Sequence, residues 1–501
     1  MTETRDITLE ESLEIIRKKD DENGELRFQL AKSENELAWL KRQLFGQKSE
    51  RFIPTDNGQL SFDLEGETEA EPEPKTEKIT YERQKPSSKK KRPVRVVIPA
   101  SLPRQEEIIE PENIPAGAKK IGEEVTEIIE MVEAKFYVRK IIRPKYGLPR
   151  DEGVIIGQLP SLPIPKGNAG ASLLAQILIS KFTDHLPFYR QRKIFKRQGL
   201  EISESTIGGW FTATCRLLEP LYHCLRTKVL EAGYLQVDET PIRVLTSAKP
   251  GSTHKGYHWV YHSPSDRLVL FDYRKGRSRE GPEQMLKNFK GTLQTDGYAG
   301  YNGFEKQPGI TLLACMAHAR RKFIEARDND PERAGQALSL IGRLYETERQ
   351  ARENQWGYDE RKTLRKEKAT PVLKELESWL KTELQQVLPK SAIGQAMQYT
   401  LRLWHRLEQY TENGMWEIDN NLIENTIRPV ALGRKNYLFA GSHEAAQRAA
   451  MIYSLLGTCK LNDVEPFSWL RDALTRLPDH PVNRLNELLP PNGVPVDKME
   501  V

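Results

Sequence analysis

The chain has 501 residues, with 76 Lys and Arg against 71 Asp and Glu, and four cysteines. That length points to several folding units rather than one core. Cysteines at 215, 224, 315 and 459 form no Cys-x-x-Cys pair, which excludes a disulfide framework and fits a reducing cytoplasm. The N-terminal MTETRDITLEES has no apolar signal core, and the most apolar run, residues 171–180, is about half of a membrane span, so a cytoplasmic protein with no membrane partner is expected.

The first unit, residues 1–52, reads as a coiled-coil oligomerisation segment. Leu9, Ile16, Asn23, Leu30, Leu37 and Leu44 recur every seven residues, with Leu26 and Leu40 between them, and the seam is clean only from Leu26 to Leu44. A homo-oligomer joined through residues 9–44 is expected; the alternative is an amphipathic helix packed on its own chain. Residues 53–95 read as a linker, acidic and Pro-rich in EGETEAEPEPKTEK, then basic in KKKRPVR. Residues 96–165 hold short β-like runs divided by Pro and Gly, the pattern of a small β-rich unit.

Residues 166–230 are expected to be helical, with helices over 171–182 and 188–198, a break at Gly199, and a third helix opened by Ser203 as N-cap. Two helices around a short Gly-containing turn fit a helix-turn-helix. In that geometry Ser205 and Thr206 face bases, while Arg190, Arg192, Lys193, Lys196 and Arg197 meet phosphates. Helical hairpins without DNA contacts share the pattern.

From Tyr234 the periodicity turns to strands: YLQVDETPIRVL, GYHWVYHS and RLVLFDYR, a helix over 280–289, then TLQTDG and ITLLA. That order suggests a ribonuclease-H-like α/β core, its first part at 231–330 and its second at 413–462, where a strand-to-helix passage is expected from 415. Polar helical sequence at 331–412 reads as an insertion, and residues 463–501 as a C-terminal helix and tail.

Three acids stand out. Asp238 lies inside an apolar strand, where a carboxylate costs desolvation unless paired, hydrated or bound to a cation. Asp296 ends a second strand beside Gly297, and Glu424 falls in the first turns of a helix that Asp419 or Asn420 can cap. An oxygen-only set suits Mg²⁺, with two ions about 4 Å apart able to activate a nucleophile and stabilise a leaving oxygen of a phosphodiester. The same residues also read as a strand-end acid, a turn former and a surface Glu424–Arg428 pair. Cys315 and His318 lack a second pair at zinc-finger spacing, so no zinc is expected. Arg320, Arg321, Arg434 and Lys435 are phosphate candidates or solvated faces, and no Gly-rich phosphate loop is present.

Taken together, LAWLKRQLFGQKSERF, KFTDHLPFYRQRKIFKRQGLEISESTIGGW, LQVDETPIRV, LQTDGYAGYNGF, CMAHARRKF and IDNNLIENTIRPVALGRKNYLFAGS resemble, in order, the blocks of the insertion sequence 66 family of transposases. The resemblance covers nearly the whole chain. It implies a DNA transposase that binds the terminal inverted repeats of its element and target DNA, and that cleaves and joins strands with Asp238, Asp296 and Glu424 as the catalytic, metal-holding acids. It also implies a helical insertion between the last two acids, Mg²⁺ (Mn²⁺ as a substitute) and accessory proteins from the same element. On the transposase reading, Arg428, Arg434 and Lys435 are the residues expected to position phosphate or backbone near the site. The family's paired cysteines before the helix-turn-helix are missing here. The rival readings are a DNA-binding regulator without catalysis and a ribonuclease-H-like nuclease that does not join.

Overall fold

The computed structural model describes residues 98–492, apart from 99, 101, 103, 112–117, 133–134, 149–152 and 247–250. The expected coiled coil at 9–44 and linker at 53–95 lie outside the described residues. The first sheet is formed by β1 (Arg104–Ile108), β2 (Lys119–Val132), β3 (Lys135–Gly147) and β4 (Val154–Ile156). Its centre is the antiparallel β2–β3 pair, with β1 parallel to β3 and β4 antiparallel to it.

Three helices follow: α1 (Ala171–Phe182), α2 (Phe188–Arg197) and α3 (Glu204–Glu231). The turn between α2 and α3 has the expected chemistry. Gly199 takes φ +86°, a conformation glycine enters without steric cost, and Ser203 Oγ accepts the Thr206 N–H at 3.1 Å as N-cap. Helix α3 runs 28 residues, because Ile207, Phe211, Leu218, Leu221, Leu225 and Val229 give it a continuous buried stripe.

The second sheet contains β5 (Tyr234–Leu245), β6 (Thr253–Ser263), β7 (Leu268–Arg274), β8 (Gly291–Thr295) and β9 (Ile310–Ala314), with the short α4 (Glu280–Met285) before β8. Spatial order is β7-β6-β5-β8-β9. The first three strands pair antiparallel, whereas β5–β8 and β8–β9 are parallel. In the β5–β8 pair Gln236 is the register partner of Gln294.

After β9 come α5 (Met316–Glu325), α6 (Pro331–Glu353), α7 (Tyr358–Leu364), a turn of π-helix (Arg365–Ala369), α8 (Thr370–Glu383), α9 (Ala392–Arg402) and α10 (Trp404–Glu408). These helices bury a core of their own, including Phe323, Ile341, Leu344, Leu376, Leu380, Met397 and Trp404. The larger core runs without a break from Ile129 and Val138 through Leu174, Leu218 and Val237 to Ile452 and Leu474. It therefore joins the first sheet, the helices α1–α3, the second sheet and the closing helices α11 (Asn421–Tyr437), α12 (His443–Leu461) and α13 (Pro466–Arg476).

The strand expected just before α11 does not form. Residues 413–420 are irregular, and their backbone groups are bonded largely by side chains rather than by a ladder. At the opposite edge, β7 would expose unpaired amides. Helix α12 covers them: Ser454 Oγ accepts the Phe271 N–H at 2.7 Å and Thr458 Oγ1 the Val269 N–H at 3.3 Å. Among the described residues no helix is long and apolar enough to cross a membrane.

Candidate functional site

Asp238 sits in β5, Asp296 directly after β8, and Glu424 in the first turn of α11; all are half-buried. The parallel register explains the first two positions. Gln236 and Gln294 stand side by side, and the same two-residue step leads from each to its aspartate. Asp238 Oδ1 accepts the Glu239 N–H at 2.7 Å, and Asp296 Oδ1 accepts the Tyr298 N–H at 2.8 Å. Tyr399 of α9 donates to the Asp296 carbonyl at 2.7 Å, so α9 holds the Asp296 turn.

Asp238 and Glu424 feel the neighbouring acids. Burial pushes the Asp238 carboxyl well above the usual aspartate range, and the charges of Asp296, Glu239 and Glu424 push it the same way. Glu424 is raised by burial, against the pull of Arg321, with Asp419 and Asp296 adding to the rise. Arg321 Nη2 lies 3.9 Å and His318 Nε2 4.0 Å from Glu424 Oε1, both from α5. The helix that follows β9 thus faces the acids with a cation and an imidazole whose basicity burial lowers. Among the described residues no three His, Cys, Asp or Glu side chains are gathered closely enough to cage a metal ion. The donor chemistry nevertheless suits a hard divalent cation: Asp238, Asp296 and Glu424 offer only oxygens, and like-charged carboxylates hold one another apart.

A second acid beside the site belongs to an ion pair. Glu239 is buried, accepts from Arg277 Nε at 2.6 Å and from Tyr301 Oη at 2.9 Å, and its carboxyl is raised by burial and by Asp296 despite Arg277. Arg277 lies 4.2 Å from the ring centroid of Tyr298, the residue whose amide binds Asp296. None of Glu239, Arg277, Tyr298 or Tyr301 was singled out by sequence patterns. Nor were Gln236 and Gln294, although the repeated Leu-Gln-x-Asp of LQVD and LQTD was a visible signal.

The basic candidates divide. Arg190, Lys193 and Arg197 are exposed on α2, and Ser205 with half-buried Thr206 lies at the start of α3. Arg190 Nη1 donates to Asn436 Oδ1 at 3.3 Å, tying α2 to the end of α11. Lys181 stands between them, its ammonium 4.4 Å from the Phe188 ring centroid and 4.5 Å from that of Tyr437, with its pKa lowered by burial to about 8. Arg434 is turned inward and donates to the Pro241 carbonyl at 2.6 Å, because β5 passes beneath that turn of α11; Lys435 is exposed. Arg320 and Arg428 are half-buried, on α5 and α11 respectively. Cys315 is buried, and its Sγ accepts the Asn420 N–H at 3.4 Å.

A mixed five-stranded sheet with Asp238 inside β5 and Asp296 directly after the neighbouring β8, followed by a helix bearing Glu424, defines a mixed α/β protein. Residues 166–448 match the family described as Transposase IS66 family, residues 454–490 the IS66 C-terminal element, and residues 34–106 a region described as Transposase C of IS166 homeodomain. The chain belongs to the IS66 transposase family. It is similar to the uncharacterized protein y4hP of Sinorhizobium fredii, 33% identical over 486 residues, covering 90% of this chain and 86% of that one. A second Sinorhizobium fredii protein, the uncharacterized y4jD, is 31% identical over 481 residues, covering 91% of this chain and 93% of its own.

Proposed function

We propose that the chain is a DNA transposase whose reacting site is Asp238, Asp296 and Glu424, holding Mg²⁺ and acting on the ends of its own element. The observation that carries this reading is the position of three acids, Asp238 inside β5, Asp296 directly after its parallel neighbour β8 and Glu424 in the first turn of α11, in a chain of this family. The strand order and the mix of antiparallel and parallel pairs support a ribonuclease-H-like core. When bound, Mg²⁺ would supply charge neutralisation at the phosphate and a more acidic attacking hydroxyl. The protein's own part is positional. Asp238 and Asp296 present oxygens from adjacent strands, Glu424 closes the group from α11, and Arg321 and His318 provide positive and hydrogen-bonding groups beside it for a phosphate. The exposed Arg190, Lys193 and Arg197, with Ser205 and Thr206, would contact duplex DNA, and the segment 34–106 would add a second DNA-binding element. Oligomerisation through residues 9–44 and accessory proteins from the element belong to the same proposal.

The test is strand transfer with the purified full chain, Mg²⁺ and DNA carrying the element's ends, wild type against Asp238→Asn. Joined products from wild type alone are expected. Cut but unjoined DNA would favour a nuclease, and specific binding with neither cutting nor joining, unaltered by the element's other gene products, would favour a regulator.

A further inference from the structure

We propose that Gln236 and Gln294 are positioning residues: a buried amide pair that fixes the segment carrying Glu424 to the two strands carrying Asp238 and Asp296. This rests on the reading of those acids as the reacting site.

Both glutamines are fully buried. An amide sealed from water costs stability unless its donors and acceptors are used. Here they are used across elements. Gln236 Nε2 donates to Gln294 Oε1 at 3.0 Å and to the Asp419 carbonyl at 2.9 Å. Gln236 Oε1 accepts the Ile423 N–H at 3.2 Å, a hydrogen shared with the Asn420 carbonyl at 3.1 Å, and faces His262 Nδ1 at 3.3 Å. Gln294 Nε2 donates to the Glu417 carbonyl at 2.8 Å, and its Oε1 also accepts from Tyr234 Oη at 2.5 Å. That tyrosine oxygen in turn accepts the Glu417 N–H at 3.1 Å.

The effect is a short rigid path. Glu424 follows Ile423, whose amide is bonded to Gln236, and Gln236 stands two residues before Asp238 in the same strand. Asp296 stands two residues after Gln294, which is bonded to Gln236. Residues 417–420 have no ladder to set their position; the amides hold it, together with the Met316 N–H on the Ile418 carbonyl at 3.1 Å and the Asn420 N–H on Cys315 Sγ. Two strands in register would place only two of the acids; the glutamines supply the constraint that brings the third. Misplacement of a reacting group by about 1 Å can cost two orders of magnitude in rate. A wholly structural pair would stabilise the core without altering what the acids bind.

The experiment uses the full chain and Mn²⁺ alone as probe. Calorimetric titration, thermal melting and amide hydrogen exchange over residues 415–426 are compared for wild type, Gln236→Met, Gln294→Met and Asp238→Asn. Both glutamine variants are expected to melt cooperatively, to bind Mn²⁺ about 10-fold or more weakly, and to exchange faster at the Ile423 and Glu417 amides. Asp238→Asn is expected to lose Mn²⁺ binding while keeping wild-type exchange in that segment. Gln236→Glu, which keeps the volume and the acceptor for Ile423 while removing the amide donor, replaces the methionine variant if that one does not fold. Wild-type Mn²⁺ affinity in folded glutamine variants overturns the positioning role and leaves the acids standing. Equal Mn²⁺ binding by wild type and Asp238→Asn overturns the acidic-site reading, and this inference with it.

Discussion

Arg361 grips Glu417 with two nitrogens, at 2.6 and 2.9 Å, while also bonding Glu348 at 2.7 Å. Arg361 belongs to α7, and Glu417 lies in the irregular segment that leads to Glu424. Glu348 is held by Arg365 as well, and neither of those two side chains reaches solvent. Although burial works against its charge, the two guanidiniums hold the Glu348 carboxyl below the usual glutamate range.

Removing one member of this cluster leaves its partners charged and buried. Glu348→Gln is therefore expected to cost about 3–5 kcal/mol, whereas Lys366→Gln, at an exposed pair with Glu412, should cost under about 1 kcal/mol. Denaturant melts of both variants check this. Equal, small losses would mean that the cluster does not hold the insertion together.

Asp238→Asn should change how stability depends on pH. The unfolded chain releases the Asp238 proton at an ordinary aspartate value, about 3.9, while the folded chain keeps it to higher pH. Folding thus takes up a proton between those limits, and stability falls as pH rises through the raised value. In chelator, the variant is expected to match wild type below about pH 3.5, where both side chains are neutral, and to melt higher than wild type at pH 8. A pH-independent difference in melting temperature would count against the crowding of acids around Asp238.

Gly297→Ala should disturb the Asp296 turn. Gly297 has φ +88°, and an added Cβ would lie 2.7 Å from Leu403 Cδ1 and 3.1 Å from Tyr399 Oη, the hydroxyl that holds the Asp296 carbonyl. The backbone strain alone is worth about 1–3 kcal/mol, so a lower melting temperature and weaker Mn²⁺ binding are expected together. Unchanged Mn²⁺ binding in the alanine variant would show that this turn does not set the acid's position.

Lys193→Ala and Arg197→Ala should each weaken binding to duplex DNA with little dependence on sequence, and each should lower the slope of log affinity against log salt by about 1. Both side chains are exposed on α2, so the melting temperature should stay within about 0.5 kcal/mol of wild type in free-energy terms. Salt titrations by fluorescence anisotropy read the slope directly. Wild-type slopes in both variants would move the DNA contacts off this helix.

Much of the local structure was fixed by short-range chemistry. Ser203 before Glu204 and the left-handed Gly199 bounded α2 and α3, and β-like runs set off by turn signals marked β5 through β9, because caps, turns and short apolar runs act within a few residues of chain. The candidate acids were legible for the same reason: a charge inside YLQVDE or at the end of TLQTD conflicts with its apolar surroundings. What the sequence could not determine is how distant segments satisfy one another. Residues 413–420 carry enough strand-like character to suggest a ladder, yet Gln236, Gln294 and Tyr234 take up their backbone bonds instead. Arg434, a phosphate candidate or solvated face by sequence, donates to the Pro241 carbonyl, and His318, whose Cys-x-x-His spacing lacks a second pair, faces Glu424. Those outcomes depend on which elements pack together from opposite ends of a long chain, and a hydrogen bond spanning 183 positions, as between Gln236 and Asp419, has no local signature.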